Sequence, residues 1–134
     1  MTIILRDTGT ARGRGLFAEG DIAADEIIEE SPVVLIETRF DELPAVLRSI
    51  MFYWSALTGE GDVHALALGY GSLFNHANPS NVRFMADSQS KILRFSTARL
   101  VAAGEELTIN YNASYGGVSS ADDDWFRRMQ VERL

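Results

Sequence analysis

The chain has no cysteine, which excludes disulfides and every zinc site built on thiolates. That absence fits an intracellular setting. Histidine is scarce: His64 and His76 are the only two, with no second ligand at a recognisable spacing, so no metal site is expected. No apolar run approaches the ~20 residues of a membrane span, and no membrane contact is expected. The opening residues, Met1 to Arg6, become charged too early to read as a signal peptide. Positive charge is in deficit. The net charge is −7, and lysine is nearly missing, with Lys91 alone among eleven arginines. Direct nucleic-acid binding normally rests on a basic patch and is therefore not expected. An acidic surface of this kind either attracts a basic partner or only keeps the protein soluble.

What is present suits one globular domain. The 134 residues are 46% hydrophobic, enough for one core. Alternation and turn residues predict strands at Thr2–Arg6 and Gly15–Ala18 around a turn at Thr8–Arg14. Two more are predicted at Glu26–Glu30 and Val33–Thr38, parted by a Ser31-Pro32 turn. A hairpin is predicted from Asn81–Ala86 and Lys91–Ala98 across Asp87–Ser90. Short strand-like pieces follow at Leu100–Ala103 and Glu106–Tyr111. Leu43, Val46, Leu47, Ile50, Met51, Trp54 and Leu57 recur at three- and four-residue spacing, which predicts a helix over Asp41–Leu57. A second helix is predicted over Ala121–Leu134, with Ser120 as its N-cap and three aspartates in its first turn. Residues 112–120 read as a polar linker. Many short strands with few helices predict a mostly β fold.

Three segments carry candidate chemistry. Gly13-Arg14-Gly15-Leu16-Phe17 lacks the third glycine and following helix of a dinucleotide fingerprint. It is either a plain turn before a strand or a place where backbone amides approach a ligand. Phe74-Asn75-His76, with Asn81, gathers side chains able to tie a loop together or to hold polar ligand groups. Glu105-Glu106-Leu107-Thr108-Ile109-Asn110-Tyr111 ends a strand on a phenol, and its glutamate pair reads as a solvated corner. His64 reads as a loop residue.

Taken in this order, the three segments resemble the SET-domain protein lysine methyltransferases. The match spans nearly the whole chain and is nearest to the minimal stand-alone viral histone methyltransferases of that family. The resemblance implies a β-clip-like fold of short sheets with a pseudoknot and a few helices. It assigns residues 1–112 to the SET domain and 113–134 to a C-terminal, post-SET-like helical segment of the same domain. It implies S-adenosylmethionine as cofactor, with S-adenosylhomocysteine as product, and a basic, lysine-containing, histone-like peptide as partner. Tyr111 would be the catalytic residue. Arg14, Gly15, Leu16 and Phe17 would line the cofactor through main-chain groups, and Asn75 would hold its methionine part. The His76 backbone would meet the adenine, and Tyr53 and Trp125 would complete the site. Tyr53, Tyr70, Phe84 and Tyr111 would wall the lysine channel. Phe84 stands where some relatives have tyrosine, which leans towards di- or trimethylation. Trp125 is either an adenine cover or a core aromatic. The lysine shortage is either self-avoidance by a lysine-modifying enzyme or a preference for arginine.

Ala77-Asn78-Pro79-Ser80 and Asn110 depart from the family pattern. The alternatives that stay open are an inactive interaction module on the same fold and methylation of a non-histone protein. A homodimer is compatible with the chain. The expected location is the nucleus for a eukaryotic or viral protein. For a bacterial one it is the cytoplasm or a host cell.

Overall fold

In a computed structural model, residues 3–113 and 116–123 are described. The chain runs β1 (Ile3–Asp7), β2 (Arg14–Ala18), β3 (Ile27–Ile36), α1 (Ala45–Arg48), β4 (Met51–Phe52) and α2 (Trp54–Thr58). It continues through β5 (His64–Ala67), β6 (Asn75–His76), β7 (Val82–Asp87), β8 (Ile92–Thr97) and β9 (Glu106–Ile109). These strands form two sheets, one of order β1-β2-β9-β6 and one of order β4-β5-β3-β8-β7. The mostly β expectation holds. Every pairing is antiparallel except β6 with β9, which run parallel with Asn75 opposite Thr108 and His76 opposite Ile109. A parallel pair needs a long connection, so this pairing joins two segments far apart in sequence.

The β1–β2 and β7–β8 hairpins lie where alternation placed them. Asp87 accepts the Gln89 and Ser90 amides to shape the second turn. Two expectations fail instructively. Ser31-Pro32 is not a turn but the middle of β3. β3 pairs with β8 up to Pro32 and with β5 from Val33 onward. Pro32 thus sits where the ladder passes from one neighbour to the other. Its missing N–H falls at a handover, and its carbonyl accepts the Leu68 amide.

The predicted helix over Asp41–Leu57 is broken into a 3-10 turn at Phe40–Glu42, α1, β4 and α2. Pro44 has no amide to give and starts α1 instead of continuing a helix. Met51 and Phe52 then pair with Leu66 and Ala65. The three- and four-residue spacing therefore comes from several short pieces packing one core. α2 closes on Gly59 in the left-handed region at φ 77. Trp54 is fully buried in that core with Phe74, Phe95 and Leu107.

His64 lies in β5, not a loop. Leu100–Ala103 holds only an isolated bridge, Ile22 to Val101. Residues 121–123 are not helical, and the remainder of the predicted C-terminal helix lies outside the described residues. The linker after β9 is not loose where described. Gly116 and Val118 accept the Phe84 and Ser80 amides, and Asn78 bonds Ser120 through both atoms of its amide. The chain therefore doubles back along residues 78–84, so that the two motif segments interleave. No helix among the described residues is long and apolar enough to cross a membrane.

Candidate active site

The site is assembled on the β2-β9-β6 edge of the first sheet. β2 supplies Arg14, Gly15, Leu16 and Phe17. Leu16 is a fully buried core residue, and Phe17 lies under the Arg6 guanidinium, 4.1 Å from its ring centre. Leu16 and Phe17 therefore engage their side chains in packing. Asn75 Nδ2 donates to the Arg14 carbonyl at 2.9 Å and to Glu106 Oε2 at 2.7 Å, joining β2, β6 and β9. A side chain at Gly15 would collide with that junction: a Cβ there would stand 2.5 Å from Glu106 Oε2 and 2.9 Å from Asn75 Nδ2.

His76 is buried and its ring geometry fixes its tautomer. Nδ1 accepts the Tyr111 amide at 3.0 Å, so the hydrogen sits on Nε2, which donates to Asp123 at 2.8 Å. Asp123 also accepts the Asn112 amide. His76 therefore ties β6 to the chain after β9. Asn81, also buried, performs a similar task through Nδ2 to the Glu106 carbonyl and Oδ1 from the Thr108 amide.

Behind this junction lies an apolar cavity of about 110 Å³. Tyr111, Tyr53 and Phe84 line it, together with Met51, Phe52 and Ile109. Phe84 packs edge-on to Phe52 at 5.2 Å. Tyr53 is 46% exposed, stands at the N-cap of α2 instead of late in a helix, and stacks on His64. Tyr70 does not line the cavity; it packs against the core, and its amide donates to Glu29. Trp125 lies outside the described residues.

The Tyr111 hydroxyl donates to the Phe74 carbonyl at 2.6 Å. Burial pushes its phenol well above the ordinary tyrosine range, with Arg12 opposing the rise and Glu106 adding to it. The phenol is a neutral dipole at physiological pH, not a base.

The glutamate pair divides. Glu105 is a surface corner, held ionised by Arg99 and the Ala102 amide. Glu106 is not: its carboxylate is turned inward onto Asn75 and faces Arg12, 3.9 Å away. Glu105 precedes β9, in the turn after Gly104, whereas Glu106 is the first residue of the strand. Arg12 has no distinguishing mark in the sequence beyond its place beside Gly13. It reaches 64 residues along the chain to donate to the His76 carbonyl at 2.8 Å.

Comparison with known proteins follows the same residues. The family model described as SET domain matches residues 13–112. A Schizosaccharomyces pombe protein, histone-lysine N-methyltransferase, H3 lysine-37 specific, is 37% identical over 110 residues, covering 80% of this chain and 71% of the relative. A solved structure of a candidate histone methyltransferase from Plasmodium falciparum superposes with TM-score 0.66 at 24% identity, over 85% of this chain and 96% of that one. A chain of Chaetomium thermophilum Polycomb Repressive Complex 2, solved in an autoinhibited conformation bound to S-adenosylmethionine, superposes with TM-score 0.62 at 24% identity. It is matched over 87% of this chain but only 16% of its own length.

Proposed function

The chain belongs to the SET-domain family and is a protein-lysine methyltransferase; from that membership we propose that it moves a methyl group from S-adenosylmethionine to a lysine of a basic, histone-like tail. The observation that carries this reading is a juxtaposition. The Tyr111 phenol lines an apolar cavity directly behind the strand pair that holds Asn75 and His76. Cofactor and substrate can then approach one point from two sides. A histone-like substrate also implies work in the nucleus.

The residues present fit the cofactor. Gly15 leaves a cradle that a single methyl group would fill, beside the Asn75 amide. Asn75 would hold the methionine part, the His76 backbone would face the adenine, and Arg14 to Phe17 would contribute main-chain groups. When bound, the cofactor supplies an electrophilic methyl group on a sulfonium centre. Residues 113–134 complete the same domain in this reading, with Trp125 as the adenine cover.

The chain's own part is desolvation and alignment. A free lysine has a pKa near ~10.4 and is almost entirely charged at neutral pH. Phe52, Phe84, Met51 and Ile109 replace water with apolar surface, which favours the neutral, nucleophilic amine. Orientation of reacting groups is worth up to about 7–11 kcal/mol, so little further chemistry is required of the protein. Tyr111, fixed by Phe74, orients the methyl group and stabilises positive charge with its oxygen. The protein's negative charge draws a basic tail.

Radiolabelled methyl transfer onto core histones and onto a cell lysate tests the reading. Labelled lysine is expected, and Tyr111→Phe is expected to lose nearly all turnover while still binding S-adenosylhomocysteine. A fully active Tyr111→Phe would refute the role given to the phenol. No transfer to any protein would refute the proposed activity.

A further inference from the structure

His64 takes no part in the junction around Asn75 and His76, yet both faces of its imidazole are covered. Phe40 stacks on it at 4.5 Å between ring centres, with 28° between planes. Tyr53 stacks on it at 5.0 Å and 29°. Two near-parallel rings at these distances cannot share one face, so the imidazole lies between them. The three rings come from three places: the 3-10 turn after β3, the start of β5 and the N-cap of α2. β5 is paired to β3 with His64 opposite Ile36, so the imidazole is the member of the stack that a sheet anchors.

Tyr53 is the member that lines the apolar cavity; His64 and Phe40 do not. It is also the most exposed aromatic of that wall, which places it at the mouth. Among the described residues no hydrogen bond holds its hydroxyl, and the stack on His64 is its ring contact. Burial holds the imidazole pKa below its ordinary value, with Asp62 opposing, so the ring is neutral at physiological pH. A neutral flat ring braces Tyr53 without setting a positive charge beside a mouth that admits a lysine.

We propose that His64 is a positioning residue for methyl transfer: wedged between Phe40 and Tyr53, it sets Tyr53 as the outer wall of the lysine cavity. This rests on the methyltransferase reading and deepens it. His64 acts through Tyr53 and touches neither the cofactor nor the reacting amine. A wall at the mouth meets the alkyl stem of the lysine in ground state and transition state alike. Its displacement is therefore felt in KM for the protein substrate, not in kcat.

The test is steady-state methylation of core histones at saturating S-adenosylmethionine. An aromatic pair of this geometry corresponds to roughly 2- to 10-fold, so His64→Ala should raise KM for histones by about that factor. Its kcat and its affinity for S-adenosylhomocysteine should stay within about twofold of wild type. His64→Phe restores a flat ring and should return KM to within about twofold of wild type. In a Tyr53→Ala background, His64→Ala should add less than about twofold, because the ring that it positions is gone. Phe40→Ala leaves β5 intact and should raise KM in the same direction, which keeps the test open if His64→Ala fails to fold. An unchanged KM in both His64→Ala and Phe40→Ala would overturn the proposal. So would a rise that phenylalanine does not reverse, or one equally large with and without Tyr53, since either means that His64 only supports the sheet. A wild-type protein that transfers no methyl group to histones would overturn the reading that seats a histone lysine in this cavity, and this inference with it.

Discussion

Two glycine-to-alanine substitutions, alike on paper, should fail in opposite ways. At Gly15 the new methyl meets only side-chain atoms: Glu106 Oε2 at 2.5 Å, Asn75 Nδ2 at 2.9 Å and Thr8 Cγ2 at 3.0 Å. The backbone there is ordinary strand, so alanine adds no conformational strain. Glu106 must retreat by roughly 1 Å to reach normal van der Waals separation, which breaks its bond to Asn75. Both groups are partly exposed and can turn to water, so the cost is about 1 kcal/mol. At Gly116 the methyl falls far inside the van der Waals radius of the Phe84 carbonyl oxygen, and φ is +82. Neither obstacle is the end of a flexible side chain. A left-handed alanine costs about 1–2 kcal/mol and overpacking another 1–3 kcal/mol, about 3 kcal/mol or more together.

For a chain of this length the unfolding entropy is about 0.28 kcal/mol/K. Gly15→Ala should then lower Tm by only about 3–4 °C, and Gly116→Ala by about 10 °C or more. Binding should be affected in the reverse order. Gly15→Ala displaces the Asn75–Glu106 junction and should weaken S-adenosylhomocysteine at least about tenfold. Melting curves and calorimetry on the two proteins decide the matter. If Gly15→Ala melts below Gly116→Ala, or binds the ligand as wild type does, the reasoning from clash partners is wrong.

Asn81→Ala strands the buried Thr108 amide and removes the donor to the Glu106 carbonyl, at about 3 kcal/mol in all; urea unfolding should show a lower midpoint with an unchanged slope. His64, stacked between Phe40 and Tyr53, has its pKa lowered by burial, with Asp62 partly opposing. The unfolded state therefore binds the proton more readily, and stability is lost as pH falls below about 6.5. His64→Phe should shrink the Tm difference between pH 7.5 and 5.5, and an unchanged difference would refute this. Phe84→Tyr sets a hydroxyl in the wall of the apolar cavity, and mass spectrometry of the product peptide should show a shift towards monomethylation.

The parts legible in sequence were those decided by local chemistry. Alternating residues and an Asx turn are enough to specify β7–β8, and a glycine-bearing turn is enough for β1–β2. The failures share a cause. Period-2 and period-3.6 patterns both assume that one element faces one neighbour. β3 changes neighbour at Pro32, and residues 41–57 serve the core as four separate pieces. A proline whose missing amide falls at a handover between partners looks like a turn when read alone, because the partners are not in the local sequence.

The site follows the same division and takes it one step further. Asn75, His76 and Tyr111 stood out because their segments, taken in order, resemble the family's motifs, and the fold does set them side by side. Arg12 and Glu106 did not, since an arginine in a glycine turn and a glutamate in a pair are ordinary surface residues by type. Their importance arises from register. β2 pairs with β9 so that Phe17 lies opposite Glu106 and Leu16 opposite Leu107. Shifting that register by one residue would set Glu106 or Thr108 opposite Leu16 in the apolar core. What holds the register is the deep burial of Leu16 and Leu107. The apolar core of this sheet thus selects which of two adjacent glutamates faces Arg12, and a charged pair that looks incidental in sequence is placed by two leucines.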